Sequence, residues 1–128
     1  MKKQAIAVIS VLLLLPFLGM AQVSPLGVNA EISFSFSAGD KPMTAGGYDF
    51  KPAASLDSMT ITNLKTRQSI MVMVTTRLSQ REQNEASVVF DKVGDQYYLS
   101  EVYLPGMDGF AFKGAPGQHS HQTVKAKK

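Results

Sequence analysis

Two histidines, His119 and His121, stand one residue apart near the C-terminal end of this 128-residue chain and are its whole complement of imidazoles. Side chains alternate along an extended backbone, so such a pair shares one side, and imidazole is the commonest metal ligand. An open copper, nickel or zinc site is the chemistry the pair suggests. The tail itself offers no third ligand, because Asp108 is distant and the chain contains no cysteine. Selective metal binding requires several fixed ligands, so two solvated histidines with no metal and no cofactor are the plainer expectation. Met71 and Met73 form a second candidate: two thioethers on one strand face, with Met43, Met59 and Met107 elsewhere. Soft thioethers suit Cu(I). Methionine is also a flexible core filler, and these two lie in an apolar run, so core or groove lining is the simpler role. His119, His121, Met71 and Met73 together define the sharpest alternative function, an exported copper-binding protein.

Tyr48, Tyr97, Tyr98 and Tyr103 are amphipathic rings that could stack on a sugar or line a partner surface. Adjacent residues of a strand point to opposite faces, so Tyr97 and Tyr98 cannot share one platform. A carbohydrate-binding module is therefore a second alternative, set against rings buried with their hydroxyls at the rim. Asp91, Asp95 and Asp108 fall in segments that read as turns, where aspartate is common because its side chain bonds the nearby backbone. A calcium site needs six or more oxygens from a dense acidic loop, and none is visible. No catalytic set emerges: no serine sits in a Gly-x-Ser-x-Gly elbow, and nothing in the spacing singles out a carboxylate pair such as Asp91 with Glu101. The expectation is a protein without enzymatic activity.

Among the elements that hold these residues the firmest is Ser87 to Leu104, where two runs of β-branched and aromatic residues flank Gly94-Asp95. This reads as a β-hairpin. Asp91 suits the first position of a type I turn, and Gly94 the left-handed residue of a bulged turn. The register stays open: a two-residue turn sets Phe90 beside Leu99, whereas a bulged turn sets it with Tyr98 and Val102. From Val28 to Ser37 alternation is complete, with Val28, Ala30, Ile32, Phe34 and Phe36 on one face, the pattern of a half-buried strand. Residues 38–42 read as a turn. Gly46-Gly47 reads as a bulge or tight bend rather than a phosphate cradle, since no helix follows. Pro52 favours a sheet edge or a strand end. Further strands are expected over 59–64 and 69–76, the latter apolar on both faces and therefore central or facing a groove. Residues 77–85 read as a solvated loop and Phe110-Ala111-Phe112 as a short last strand.

Met1 to Ala21 has the parts of a secretory signal: Lys2 and Lys3, an apolar stretch from Ala5 to Leu18 broken by Pro16, then Gly19-Met20-Ala21. That stretch is shorter than the roughly 20 residues of a spanning helix. Cleavage after Ala21 and a periplasmic or secreted product without a membrane or lipid anchor are expected. The chain carries 13 Lys+Arg against 10 Asp+Glu, net +3, but residues 22–124 hold 8 basic against 10 acidic groups. The basic balance belongs to the two ends, so no basic face exists for nucleic acid. Without cysteines there are no disulfides, and stability must come from burial and backbone pairing.

The segments Ile32-Ser33-Phe34-Ser35-Phe36 through Gly39, Met43-Thr44-Ala45-Gly46-Gly47-Tyr48 and Phe90-Asp91-Lys92-Val93-Gly94-Asp95-Gln96-Tyr97-Tyr98-Leu99 together resemble a family of small exported β-proteins of acidobacterial type. That family's pattern is roughly F-x-F-x-x-G, L-P-A-G-x-Y and F-H-R-Y-G-D-x-Y-F-L. The likeness covers about residues 28–104, and this chain has Thr44 in place of proline and Asp91 and Val93 in place of histidine and tyrosine. The shared motifs suit turns and strands, so the resemblance implies a fold more than an activity.

The expected architecture is all-β, a small antiparallel β-sandwich or rolled barrel of six or seven short strands, meander-like, after the signal peptide. Its divisions are a signal at 1–21, a leader at 22–27, a β-domain at 28–113 and a disordered basic tail at 114–128. The expected role is a binding or envelope-accessory module, its partner a cell-envelope protein or glycan.

Overall fold

The computed structural model describes residues 27–79 and 85–127; the expected signal, nearly all of the leader and most of the 77–85 loop lie outside them. The described chain is all-β, with β1 (Val28–Ile32), β2 (Phe36–Ala38), β3 (Lys41–Met43), β4 (Gly46–Pro52), β5 (Ser58–Asn63), β6 (Ser69–Met73), β7 (Thr76–Leu78), β8 (Ser87–Val93), β9 (Gln96–Tyr103), β10 (Gly109–Ala111) and β11 (Ser120–Lys125). One sheet has the order β1-β4-β5-β6, the other β11-β8-β9-β10-β7, with β2 pairing both β3 and β9. The two sheets form an open sandwich, not a closed barrel. Strands β4–β6 and β8–β10 are meanders. The surplus over the expected strand number comes from pieces three residues long and from the tail.

The alternation from Val28 onward does not make one continuous strand. The chain breaks after Ile32 and resumes at Phe36, passing from the first sheet to the second. Even-numbered side chains nevertheless keep facing inward, with Val28, Ala30, Ile32 and Phe36 buried and Phe34 partly so. Burial of that face, rather than a single ladder, is what the period of two encodes. Phe36 then bridges the layers edge-on, its ring 5.3 Å from that of Tyr48 and 5.1 Å from that of Phe90. Phe50, Met59, Ile61 and Val72 from the first sheet and Val88, Leu99, Val102 and Phe110 from the second complete the core.

In the hairpin, Val93 pairs with Gln96 and Phe90 with Leu99, so the turn is the two residues Gly94-Asp95. Gly94 has φ 60° while Asp95 has no positive φ, the sign pattern of a type II′ turn. Asp91 is therefore not a turn residue: it pairs with Tyr98 inside the ladder. The irregularity falls between Val89 and Phe90, where Ser100 is the extra residue opposite.

Three further expectations are corrected. Residues 69–73 are not a central strand but the edge of the first sheet, with Val72 turned inward and Met71 and Met73 exposed. Within 77–85, Arg77 and Leu78 form part of β7, paired with β10, and the Arg77 guanidinium sits 4.4 Å above the Phe110 ring. The tail is not a disordered appendix over its described residues. Ser120–Lys125 pair antiparallel with β8 from Lys92 back to Ser87. Beyond it Lys127 exchanges two hydrogen bonds with Asn29, at 2.7 and 2.8 Å, tying the tail to the first sheet. A free β8 edge accepts any extended backbone in register, whatever its side chains, which is why a polar tail can become a strand. Pro52 does fall at a strand end, and Phe110-Ala111 in β10.

Candidate metal centre

The register of β11 on β8 sets His121 directly opposite Asp91, and cross-strand partners share a face. His119 lies just before β11, carried onto the same face by the chain reversal at Gly117, whose φ is 76°. A second left-handed glycine, Gly114 at φ 67°, turns the preceding segment down over Asp91. A side chain at Gly114 would collide with the Asp91 carboxylate. Glycine is needed here for close approach as well as for backbone angle.

The result is a carboxylate only 3% exposed on what would otherwise be the outer face of the sheet. Its Oδ2 accepts the Ala115 backbone N–H at 3.0 Å. Its Oδ1 faces His119 Nε2 and His121 Nδ1, each at 3.3 Å, yet accepts no hydrogen bond of sound geometry. His119 is three-quarters covered and His121 about half exposed. The two imidazoles meet edge to face, with centroids 5.1 Å apart and planes at 82°. All three ligand atoms lie within 4.8 Å of one another.

The tautomer of His119 follows from its other contact. Nδ1 lies 2.9 Å from the Gly117 carbonyl oxygen, which can only accept, so Nδ1 carries the hydrogen. In the neutral ring, Nε2 therefore turns a lone pair toward the Asp91 oxygen. Two electron-rich atoms this close are favoured by a cation between them, for which a metal ion is one candidate. Ligands tetrahedrally placed about 2.05 Å from a zinc ion lie about 3.3 Å apart, and cis ligands of a square or octahedral site at that bond length about 2.9 Å. The two Asp91-to-imidazole separations of 3.3 Å match two edges of the tetrahedral case, and all three ligand atoms lie within 4.8 Å of one another. The Gly117 carbonyl would be the outer partner that orients the His119 imidazole on such an ion.

The sequence-derived candidates divide sharply. His119 and His121 come together on one face, but not with Met71 and Met73. Those thioethers project from β6, the edge of the first sheet farthest from β1, whereas the tail bonds to β1. The third candidate ligand is Asp91, 28 residues upstream of His119, which sequence reasoning had set in a turn. The available signal was a carboxylate between Phe90 and Val93 in the chain's best strand, where aspartate is disfavoured. The donor set is therefore two nitrogens and an oxygen, which suits divalent zinc, copper or nickel and not Cu(I).

The tyrosines form no common platform. Tyr48 is buried with its hydroxyl donating to the Thr44 carbonyl at 2.6 Å. Tyr103 is buried and donates to Glu101 at 2.7 Å. Tyr97 stacks on Phe34 at 3.8 Å, while Tyr98, on the opposite face, is half-buried beside a cleft of about 490 Å³. That cleft, shared with Ser37, Asp40 and Lys113, contains neither Asp91 nor Glu101, so the carboxylate pair does not converge on it. No family model matches the chain, and neither does any curated protein or solved structure.

Proposed function

We propose that this β-sandwich is a binding module for a divalent transition-metal ion, held by Asp91 Oδ1, His119 Nε2 and His121 Nδ1. The observation that carries it is the buried Asp91 oxygen with no hydrogen bond, faced by two imidazole nitrogens each 3.3 Å away. Three protein ligands with one exposed histidine leave a fourth position open to water or a small ligand. The role proposed is binding and not catalysis. The signal-like pattern of residues 1–21 supports export, which would put the site in the periplasm or outside the cell.

The test is a zinc titration of the purified, tag-free chain against a chromophoric chelator. One ion per chain is expected, with affinity reduced at least roughly a hundredfold, about 2.8 kcal/mol, in His119→Ala or His121→Ala. Absence of zinc binding, or binding that survives both substitutions, overturns the proposal.

A further inference from the structure

Resting on that metal-binding reading, we infer that the ion is also the clasp of the C-terminal strand: its binding docks residues 114–127 across the open side of the sandwich, and its removal releases them. The ligands are divided in a way that makes this so. Asp91 belongs to the body of the domain and both histidines to the tail, so an ion held by all three cross-links one to the other. An undocked tail offers at most the two histidines, and the body only the carboxylate. The ion therefore has a large differential affinity for the docked state, which is the requirement for a ligand to shift an equilibrium.

The tail has little else to hold it. Five of the six residues of β11 are exposed, and only Val124 and Ala126 pack partly against the core. The backbone bonds to β8 and to Asn29 replace bonds that water would otherwise supply, so their net contribution is small. Without an ion, docking buries Asp91 Oδ1 with no hydrogen bond of sound geometry beside the His119 Nε2 lone pair, which opposes it. The same three groups favour docking when an ion sits among them. Gly114 and Gly117, both left-handed, mark where the segment leaves the body and turns back.

Two edges change state with the tail. Along β8, docking covers the backbone from Ser87 to Lys92; along β1, it covers Asn29. Release uncovers both on the same side of the sandwich, and exposed strand edges are sites for a further strand to pair. The ion thus governs whether that side is closed.

Hydrogen exchange of the full chain, with chelator and then with zinc at a hundred times its Kd, tests the clasp. Binding to the docked state alone predicts amide exchange over residues 120–127 slowed about a hundredfold by zinc, with no slowing of those β5 and β6 amides that exchange by local opening. Asp91→Asn, of nearly equal shape, should abolish that slowing. Stoichiometric zinc binding with tail exchange unaltered overturns the clasp and leaves the metal site standing. Zinc-dependent protection that persists in Asp91→Asn overturns the clasp as drawn here. Failure to bind zinc at all removes the metal reading, and the clasp with it.

Discussion

Strands β6 and β11 are edge strands of different sheets with ladders of similar length, five register pairs onto β5 and six onto β8. What their side chains do is opposite. In β6, Val72 is 5% exposed and anchored in the core while Met71 and Met73 face solvent at 64% and 62%. In β11 no residue is fully buried, and the firmest contacts are polar, gathered at one end around Asp91. An apolar strand docks by burial and holds under any condition that keeps the core intact. A polar strand docks through a site, and so acquires a dependence on whatever fills that site.

Truncating the anchor of β6 gives the largest expected effect on folding. Val72→Ala should lower unfolding stability by about 2 kcal/mol through lost burial and the void left behind, measured by urea denaturation. Zinc affinity should stay at the wild-type value. A matching loss of zinc binding would mean that the two edges are coupled, and the contrast would fail.

Gly114→Ala acts on the other edge. Its left-handed φ and its contact with the Asp91 carboxylate should together cost about 1 kcal/mol or somewhat more. Here zinc affinity should fall as well, by roughly tenfold (about 1.4 kcal/mol), because the displaced carboxylate no longer meets the imidazoles. Chelator competition on the variant separates the two effects.

The smallest effect is expected where the sequence had suggested a metal. The double substitution Met71→Leu and Met73→Leu alters only exposed side chains, so stability should stay within about 0.5 kcal/mol. A thermal shift with zinc should be the same as in the wild type. If the shift disappeared, the thioethers would have to reach the histidines, contrary to the placement of β6 and the tail on distant edges.

How far the sequence disclosed all this depends on the kind of force involved. The hairpin at 87–104 was legible because β-branched and aromatic residues flank a Gly-Asp dipeptide that accommodates a tight turn. The inward face of residues 28–36 was legible because burial enforces period two even where the chain changes sheets. The break after Ile32 was not, since alternation reports which face is buried and not which neighbour is paired. Residues 69–74 misled in the other direction: two methionines made an edge strand look central, although both face solvent. The tail was illegible as a strand because polar residues pairing with a bare edge leave no periodic trace. The candidate site was half legible. His-x-His announced itself, while Asp91 showed only as a carboxylate out of place in a strand until the tail lay in register beside it.

The pair of hydrogen bonds between Asn29 and Lys127 has a mechanical consequence. Residues 29 and 127 lie near the two ends of the described domain and run antiparallel, so the chain enters and leaves at the same end of that short pairing. A pull separating the ends meets these bonds first and opens them in sequence, as a zipper opens, instead of loading many at once in shear. The next resistance along the tail is the β11 ladder on β8, and at its far end the three groups around Asp91. Tension on the domain would thus be borne first by these two bonds and only afterwards by the groups around Asp91.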